Sequence, residues 1–253
     1  MMKDSFSWNY PRRIAHRGGG SLAPENTLAA MHVGFAHGYR MVECDAKLTG
    51  DGTLMLMHDD LVDRTTNGAG RVAGMTWSEI AHLDAGHYRR QTQPQFAGEC
   101  VPSLAAVVRY CLANGMAINI EIKPCPGREF ETGAAVAIEA QHLWRGAAAA
   151  ELPPLLSSFS EDALEAAQRF APEFPRALLQ HKLTPDWAER LARLDCVGLD
   201  ANFQVLTSDV VAEARRGGYR VLTYTPNEPA IAEQLVAWGV DCVITDAIDL
   251  IAP

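Results

Sequence analysis

Three short runs concentrate the side chains able to do chemistry: His16-Arg17-Gly18, then Glu43-Cys44-Asp45 with His58-Asp59, and Glu121-Ile122-Lys123. Side chains alternate faces along an extended strand, so Glu43 and Asp45 share a face, as do Glu121 and Lys123. Three carboxylates, a lysine, an arginine and two histidines can then converge on one cavity. Carboxylates so crowded repel one another unless a cation lies between them. An all-oxygen donor set suits one hard divalent cation, Mg2+ or Ca2+, better than a tightly held zinc. His16 and His58 titrate near neutrality and are the candidates to give and take a proton. Arg17 and Lys123 offer fixed positive charge to phosphate oxygens.

Each residue also has a plainer reading. Glu43 and Asp45 could be solvated charges on an exposed strand face, Glu121 and Lys123 a structural ion pair, and either histidine a metal ligand. A strand covered on both sides leaves little room for solvated charge. The position of Glu121 and Lys123 just before Pro124, at the end of an Ile-Asn-Ile-Glu-Ile run, favours a role at a strand's C-terminal rim. Gly18-Gly19-Gly20 lacks the spacing of either common phosphate loop. Glu25-Asn26-Thr27 reads as a helix cap. The other histidines (His32, His37, His82, His87, His142, His181) have no comparable company and read as surface or core residues.

Strands must align these groups. Strand patterns cover 13–15, 41–46, 117–122, 155–158, 176–179, 196–199, 220–224 and 242–245. Helical patterns near 26–37, 103–114, 130–144, 162–170, 185–194, 208–216 and 229–238 alternate with them. Eight strands in βα order predict a parallel sheet closed into a TIM (β/α)8 barrel, with an open doubly wound sheet as the competitor. Ser160-Glu161-Asp162 opens one helix with a cap and an acidic first turn, and Gly217-Gly218 and Gly239 mark helix ends. Asp51-Gly52 predicts a hairpin joining the second strand to 54–57. The segment from about 59 to 101 holds one helical pattern, 76–83, and too few apolar residues for a core of its own. The expectation is a single domain over 1–253 with a small insertion after strand two. Ala147–Ala150 reads as a tolerant connection.

The 253 residues carry a net charge of −9, with 48% hydrophobic and 21% charged residues. Such a balance disfavours nucleic acid or an anionic membrane as the main partner. Six cysteines without a CxxC pair suggest reduced thiols in a reducing compartment. Residues 1–11 have no apolar stretch resembling a signal peptide, and no apolar run nears the roughly 20 residues of a membrane span. A cytoplasmic location is expected.

The runs above, with Pro24-Glu25-Asn26-Thr27, Thr49-Gly50-Asp51-Gly52, Ser157-Ser158-Phe159 and the closing Gly239-Val240-Asp241 and Thr245-Asp246, closely resemble the glycerophosphodiester phosphodiesterases. The resemblance spans essentially the whole chain. It implies a metal-dependent TIM-barrel hydrolase that converts glycerophosphodiesters such as glycerophosphocholine and glycerophosphoethanolamine to sn-glycerol 3-phosphate and an alcohol. Carried over residue by residue, it implies Glu43, Asp45 and Glu121 as ligands of one divalent cation. His16 and His58 become acid and base, and Arg17 and Lys123 phosphate contacts. Phe159, Asn202, Tyr224 and Trp238 are candidates for the far wall of the pocket. The expected partners are small glycerophosphodiesters, not nucleic acid or membrane, with a homodimer left open. A lipid phosphodiesterase on the same barrel and a non-catalytic binding barrel are the alternatives. The first would want an apolar or basic membrane-docking rim, and the second should have lost a histidine or carboxylate.

Overall fold

The computed structural model describes residues 6–145 and 152–253; the Ala147–Ala150 connection lies outside them. Strands β1 (Arg13–Ala15), β2 (Met41–Leu48), β3 (Leu54–Leu56), β4 (Ala117–Ile122), β5 (Leu155–Ser158), β6 (Arg176–Gln180), β7 (Gly198–Asn202), β8 (Arg220–Tyr224) and β9 (Cys242–Thr245) form one sheet. Its order is β1-β9-β8-β7-β6-β5-β4-β2-β3, and β1 also pairs with β2, Ala15 opposite Val42. That pairing closes eight parallel strands into a barrel and rules out the open sheet. β3 is the exception, antiparallel to β2 as the Asp51-Gly52 turn predicts.

Helices cover the outside: α1 (Leu28–Ala36), α2 (Trp77–Ile80), α3 (Leu104–Ala113), α4 (Glu129–Trp144), α5 (Glu161–Phe170), α6 (Trp187–Arg193), α7 (Ser208–Arg216) and α8 (Pro229–Trp238). Local chemistry sets several of their ends. The side chains of Thr27, Ser103, Ser160 and Thr207 each accept a backbone N–H from the first turn of the helix that follows. Gly239 ends α8 in the left-handed conformation, φ 103°. β7 starts and ends later than the apolar pattern suggested, because the strand continues through the polar residues Asp200 and Asn202 towards its rim.

Ile14, Met41, Ala117, Leu155, Ala177, Val197, Leu222 and Cys242 come from or beside every barrel strand and pack together at its N-terminal end. Each large aliphatic so buried contributes about 1.5–3 kcal/mol. This plug leaves the interior open only at the C-terminal rim. The insertion does gather a small apolar cluster of Val62, Val72, Ile80, Ala85 and Val101, but completes it with Met55, Met57 and Cys125. It therefore leans on the barrel. Five of the six cysteines are buried, Cys100 is exposed, and all six are free thiols. No helix among the described residues is long and apolar enough to cross a membrane.

Candidate active site

Strand alternation and register bring the three carboxylates together. Asp45 on β2 lies opposite Glu121 on β4, and Glu43 shares the face of Asp45. One oxygen from each of Glu43, Asp45 and Glu121 falls within 4.8 Å of the others. Asn26 locks Asp45 from two sides: its amide donates to Oδ2 at 2.7 Å, and its Oδ1 accepts the Asp45 backbone N–H at 3.0 Å. Glu43 Oε2 accepts from the Arg17 N–H at 3.0 Å, while its buried Oε1 has no hydrogen-bond partner.

Burial and then the Asp45 charge push the Glu43 carboxyl up to about 8, and the same two causes push Glu121 up to about 7. Burial would raise Asp45 as well, but Arg17 and Lys123 overcome it and hold that carboxyl below its ordinary value. The protein's own cations thus balance only part of the trio. A buried, unpartnered carboxylate oxygen within an all-oxygen set fits a hard divalent cation.

Opposite charges alternate outward from this cluster. Arg64 bonds Glu25 through both terminal nitrogens (2.8 and 2.7 Å), and Glu25 accepts from Arg17 Nη1 at 2.7 Å. Arg17 Nε sits 3.3 Å from Asp45, and Lys123 Nζ lies 3.7 Å from Asp45 and 2.7 Å from Glu121. Arg17 reaches Glu25 and Asp45 from a left-handed backbone, φ 49°. The glycines beside it serve packing. A Cβ on Gly20 would sit 2.1 Å from the Asp246 carbonyl oxygen, and one on Gly18 2.7 Å from Met31 Sδ. The triple glycine lets β1 turn closely past α1 and Asp246.

The two histidines are held alike. Asp246 lies 2.6 Å from His16 Nδ1, and Asp59 lies 2.6 Å from His58 Nδ1. A carboxylate at Nδ1 fixes the ring and leaves Nε2 for chemistry. His16 Nε2 is 3.8 Å from Glu43 Oε2. Burial would lower the His16 value, but the Asp246 hydrogen bond and the Glu43 charge raise it above ordinary. For His58, burial dominates, and with Arg17 and Lys123 it outweighs Asp45 to leave the value lowered. Asp59 is itself gripped by Arg64 Nε at 2.5 Å and, against the pull of burial, held down to about 2.

His16, Arg17, Glu43, His58, Glu121 and Lys123 line one central cavity of about 170 Å3. Asp45 lies just behind it, at 1% exposure. Phe159 and Tyr224 are also on its wall, edge to face at 5.8 Å, with Lys123 Nζ 5.4 Å from the Phe159 ring centre. Asn202 is not on that wall; its oxygen accepts the Gln204 N–H instead. Trp238 is a correction. It is the last residue of α8, and helices return antiparallel to the barrel strands. Its ring therefore packs at the opposite end, against the helix–strand core. The other six histidines lie outside the cavity.

Sequence reading assigned no role to Asp246, Asp59 or Arg64, and took Glu25 and Asn26 for capping residues. Of Glu25, Asn26 and Thr27, only Thr27 caps α1, joined by Glu99, which accepts the Ala29 N–H at 3.0 Å. Asp59 could have been suspected from its place beside His58, and Asp246 from its place directly after the last strand, which barrel closure sets next to β1.

Residues 16–250 match the sequence profile of the Glycerophosphoryl diester phosphodiesterase family. The chain is 33% identical over 238 residues to a glycerophosphodiester phosphodiesterase of Caldanaerobacter subterraneus subsp. tengcongensis, covering 92% of this chain and 93% of that one. It is 31% identical over 252 residues to a glycerophosphodiester phosphodiesterase of Bacillus subtilis, covering 94% and 84%. Among solved structures, an Oleispira antarctica phosphodiesterase in complex with the product sn-glycerol-3-phosphate superposes with a TM-score of 0.87. That pair is 36% identical, with 97% of this chain and 95% of the other covered. A glycerophosphodiester phosphodiesterase from Agrobacterium tumefaciens superposes at 0.76 with 29% identity, covering 95% and 98%. With a family match over nearly the whole barrel, the chain belongs to the glycerophosphoryl diester phosphodiesterase family, as a phosphoric diester hydrolase built on a TIM barrel.

Proposed function

We propose that this chain hydrolyses small glycerophosphodiesters, glycerophosphocholine and glycerophosphoethanolamine among them, to sn-glycerol 3-phosphate and the free alcohol. The observation that carries the reading is the pair of histidines, each pinned at Nδ1 by an aspartate and flanking the acidic trio. In this reading Arg17 and Lys123 bind and orient the phosphodiester. One histidine takes the nucleophile's proton at Nε2 and the other delivers a proton to the departing alkoxide. Asp246 and Asp59 hold each ring in place and stabilise its imidazolium. A divalent cation held by Glu43, Asp45 and Glu121 would act as a Lewis acid, neutralising charge that develops on the phosphate. Free buried thiols suit the cytoplasm, where we place the reaction.

The leaving alcohol departs through a groove of about 510 Å3 beside the cavity, lined by Lys47, Asp60, Glu129, Phe159 and Ser160. Lys47 already neutralises Asp60 at 2.7 Å. With that charge matched, headgroups should differ little, within about tenfold or roughly 1.4 kcal/mol of transition-state binding.

The test is product analysis on glycerophosphocholine with and without a chelator. Glycerol 3-phosphate should form, chelation should abolish turnover, and Mg2+ or Ca2+ should restore it. His16→Ala and His58→Ala should each lower kcat by about 10²–10⁴ while keeping fold and metal. Phosphocholine as product would reverse the pocket's orientation, and full activity in exhaustively chelated protein would sink the metal role.

A further inference from the structure

The floor of the central cavity holds the least satisfied polar groups of the barrel. Asn119 Nδ2 and Oδ1, Ser157 Oγ and both oxygens of Asp200 are buried without a hydrogen-bond partner. The three residues are 1%, 0% and 0% exposed, and all line the cavity. The large majority of buried side-chain polar atoms in folded proteins are paired, so a cluster of unpartnered ones lining one cavity offers a place for a polar ligand. The neighbouring residue shows that the chain can do otherwise. Ser158 donates to the Ile122 carbonyl at 2.7 Å and accepts from the Ser160 N–H at 3.1 Å.

The chemistry of the floor is specific. A serine hydroxyl and an asparagine amide each donate and accept, and a carboxyl accepts at both of its oxygens. These three residues bring no cationic group to the floor, so it does not attract a phosphate. It matches alcohol hydroxyls, which can donate to Asp200 and accept from Asn119 and Ser157.

Depth points to the terminal hydroxyl. Glu121 and Asn119 share a face of β4, so Asn119 lies about 6.6 Å below Glu121 along the strand, while Ser157 on β5 stands opposite Glu121. With a phosphate at Arg17 and Lys123, a three-carbon chain with bonds of about 1.5 Å runs down past Glu121 towards this floor. The cavity of about 170 Å3 has room for it.

We propose that Asp200, with Asn119 and Ser157, forms a hydroxyl-reading floor for the terminal hydroxyl of the substrate's glycerol half, and that Asp200 is the residue selecting a polyol there. This rests on the hydrolase reading above. A site built to bond a hydroxyl rejects the analogue lacking it far more strongly than an apolar pocket rejects a missing methylene.

The test compares glycerophosphocholine with the analogue in which the terminal hydroxyl is replaced by hydrogen. Wild type should favour the glycerol substrate at least about 100-fold in kcat/KM. Asp200→Leu should bring that ratio down to about tenfold or less, chiefly through lost activity on the glycerol substrate. Asp200→Asn, which keeps shape and an acceptor oxygen, should retain most of the ratio. Calorimetric titration of sn-glycerol 3-phosphate and its deoxy counterpart reads the same preference without turnover. Equal wild-type use of both substrates, or an Asp200→Leu variant that loses both in proportion, overturns the assignment while leaving the hydrolase reading intact. Failure of wild type to cleave either substrate overturns both.

Discussion

Stripped of any cation, the folded chain should lose stability as the pH rises from 5 to 7, because three of its buried carboxyls, Glu43, Glu121 and Asp200, keep protons that the unfolded chain has released. Glu43 is pushed from 4.5 up to about 8 and Glu121 from 4.5 up to about 7. Where the unfolded state binds fewer protons, the unfolding free energy falls with pH. The carboxyls held below their ordinary values, Asp45, Asp59, Glu25 and Asp246, have finished titrating by pH 5 and leave this window clear. His16 adds to the loss: its raised value gives stability that is complete below 6.5 and vanishes as the pH climbs through the folded value. His58, held below 6.5, works the other way. Each carboxyl costs about 1.4 kcal/mol per pH unit, but the mutual repulsion of Glu43 and Glu121 counts once, so those two should cost about 3 kcal/mol between pH 5 and 7. For a chain of this size their share is a drop of roughly 6–12 °C in Tm, and Asp200 adds to it. Chelated protein, melted by circular dichroism at half-unit pH steps, gives the slope directly. Saturating Mg2+ or Ca2+ should remove the share of Glu43 and Glu121, and Glu43→Gln should remove about half of that share without any metal. A chelated protein whose stability stays level or rises from pH 5 to 7 would refute the reasoning.

Two further outcomes test the groups that hold the site together. Asp246→Asn and Asp59→Asn keep shape but withdraw the charge behind each histidine, and kcat should fall by about 10²–10⁴ with KM little changed; a rise in KM alone would assign them to substrate binding. Asn26→Ala removes both clamps on Asp45 and should weaken metal binding by about 10–100-fold in calorimetric titration, an effect absent if Asn26 only shapes the start of α1.

What could be read in advance follows from how far each signal reaches along the chain. The two-residue period of a strand is local, so Glu43 with Asp45 and Glu121 with Lys123 announced their shared faces. Ser160 and Gly239 announced helix ends for the same reason. The pairings behind the histidines divide the same way: Asp59 adjoins His58, whereas Asp246 is 230 positions from His16 and meets it only because β9 closes against β1. Glu25 and Asn26 were hidden by their company, since the residue types that begin helices also hold cations and carboxylates. Trp238 misled because a family-like motif says nothing about which end of a barrel a helix terminus occupies. The end of β7 was misplaced because Asp200 and Asn202 look too polar for a strand until the cavity they approach is seen.

The alternating charges running from Arg64 to Glu121 also couple the filling of the two halves of this site. Arg17 and Lys123 are already neutralised by Glu25, Asp45 and Glu121, so an incoming phosphate meets cations with little charge to spare. A cation on the carboxylates frees Lys123 from Glu121 and Asp45 and loosens Arg17 from Asp45, while Glu25 keeps its hold on Arg17. Binding at one half of the site therefore strengthens binding at the other, and by thermodynamic reciprocity the factor is the same in both directions. Inorganic phosphate should bind weakly to chelated protein and tighten Mg2+ or Ca2+ by the same ratio that the cation tightens phosphate; independent affinities in a pair of calorimetric titrations would contradict this. The ladder leaves the site no positive charge to spare and ties admission of the anion to the presence of the cation.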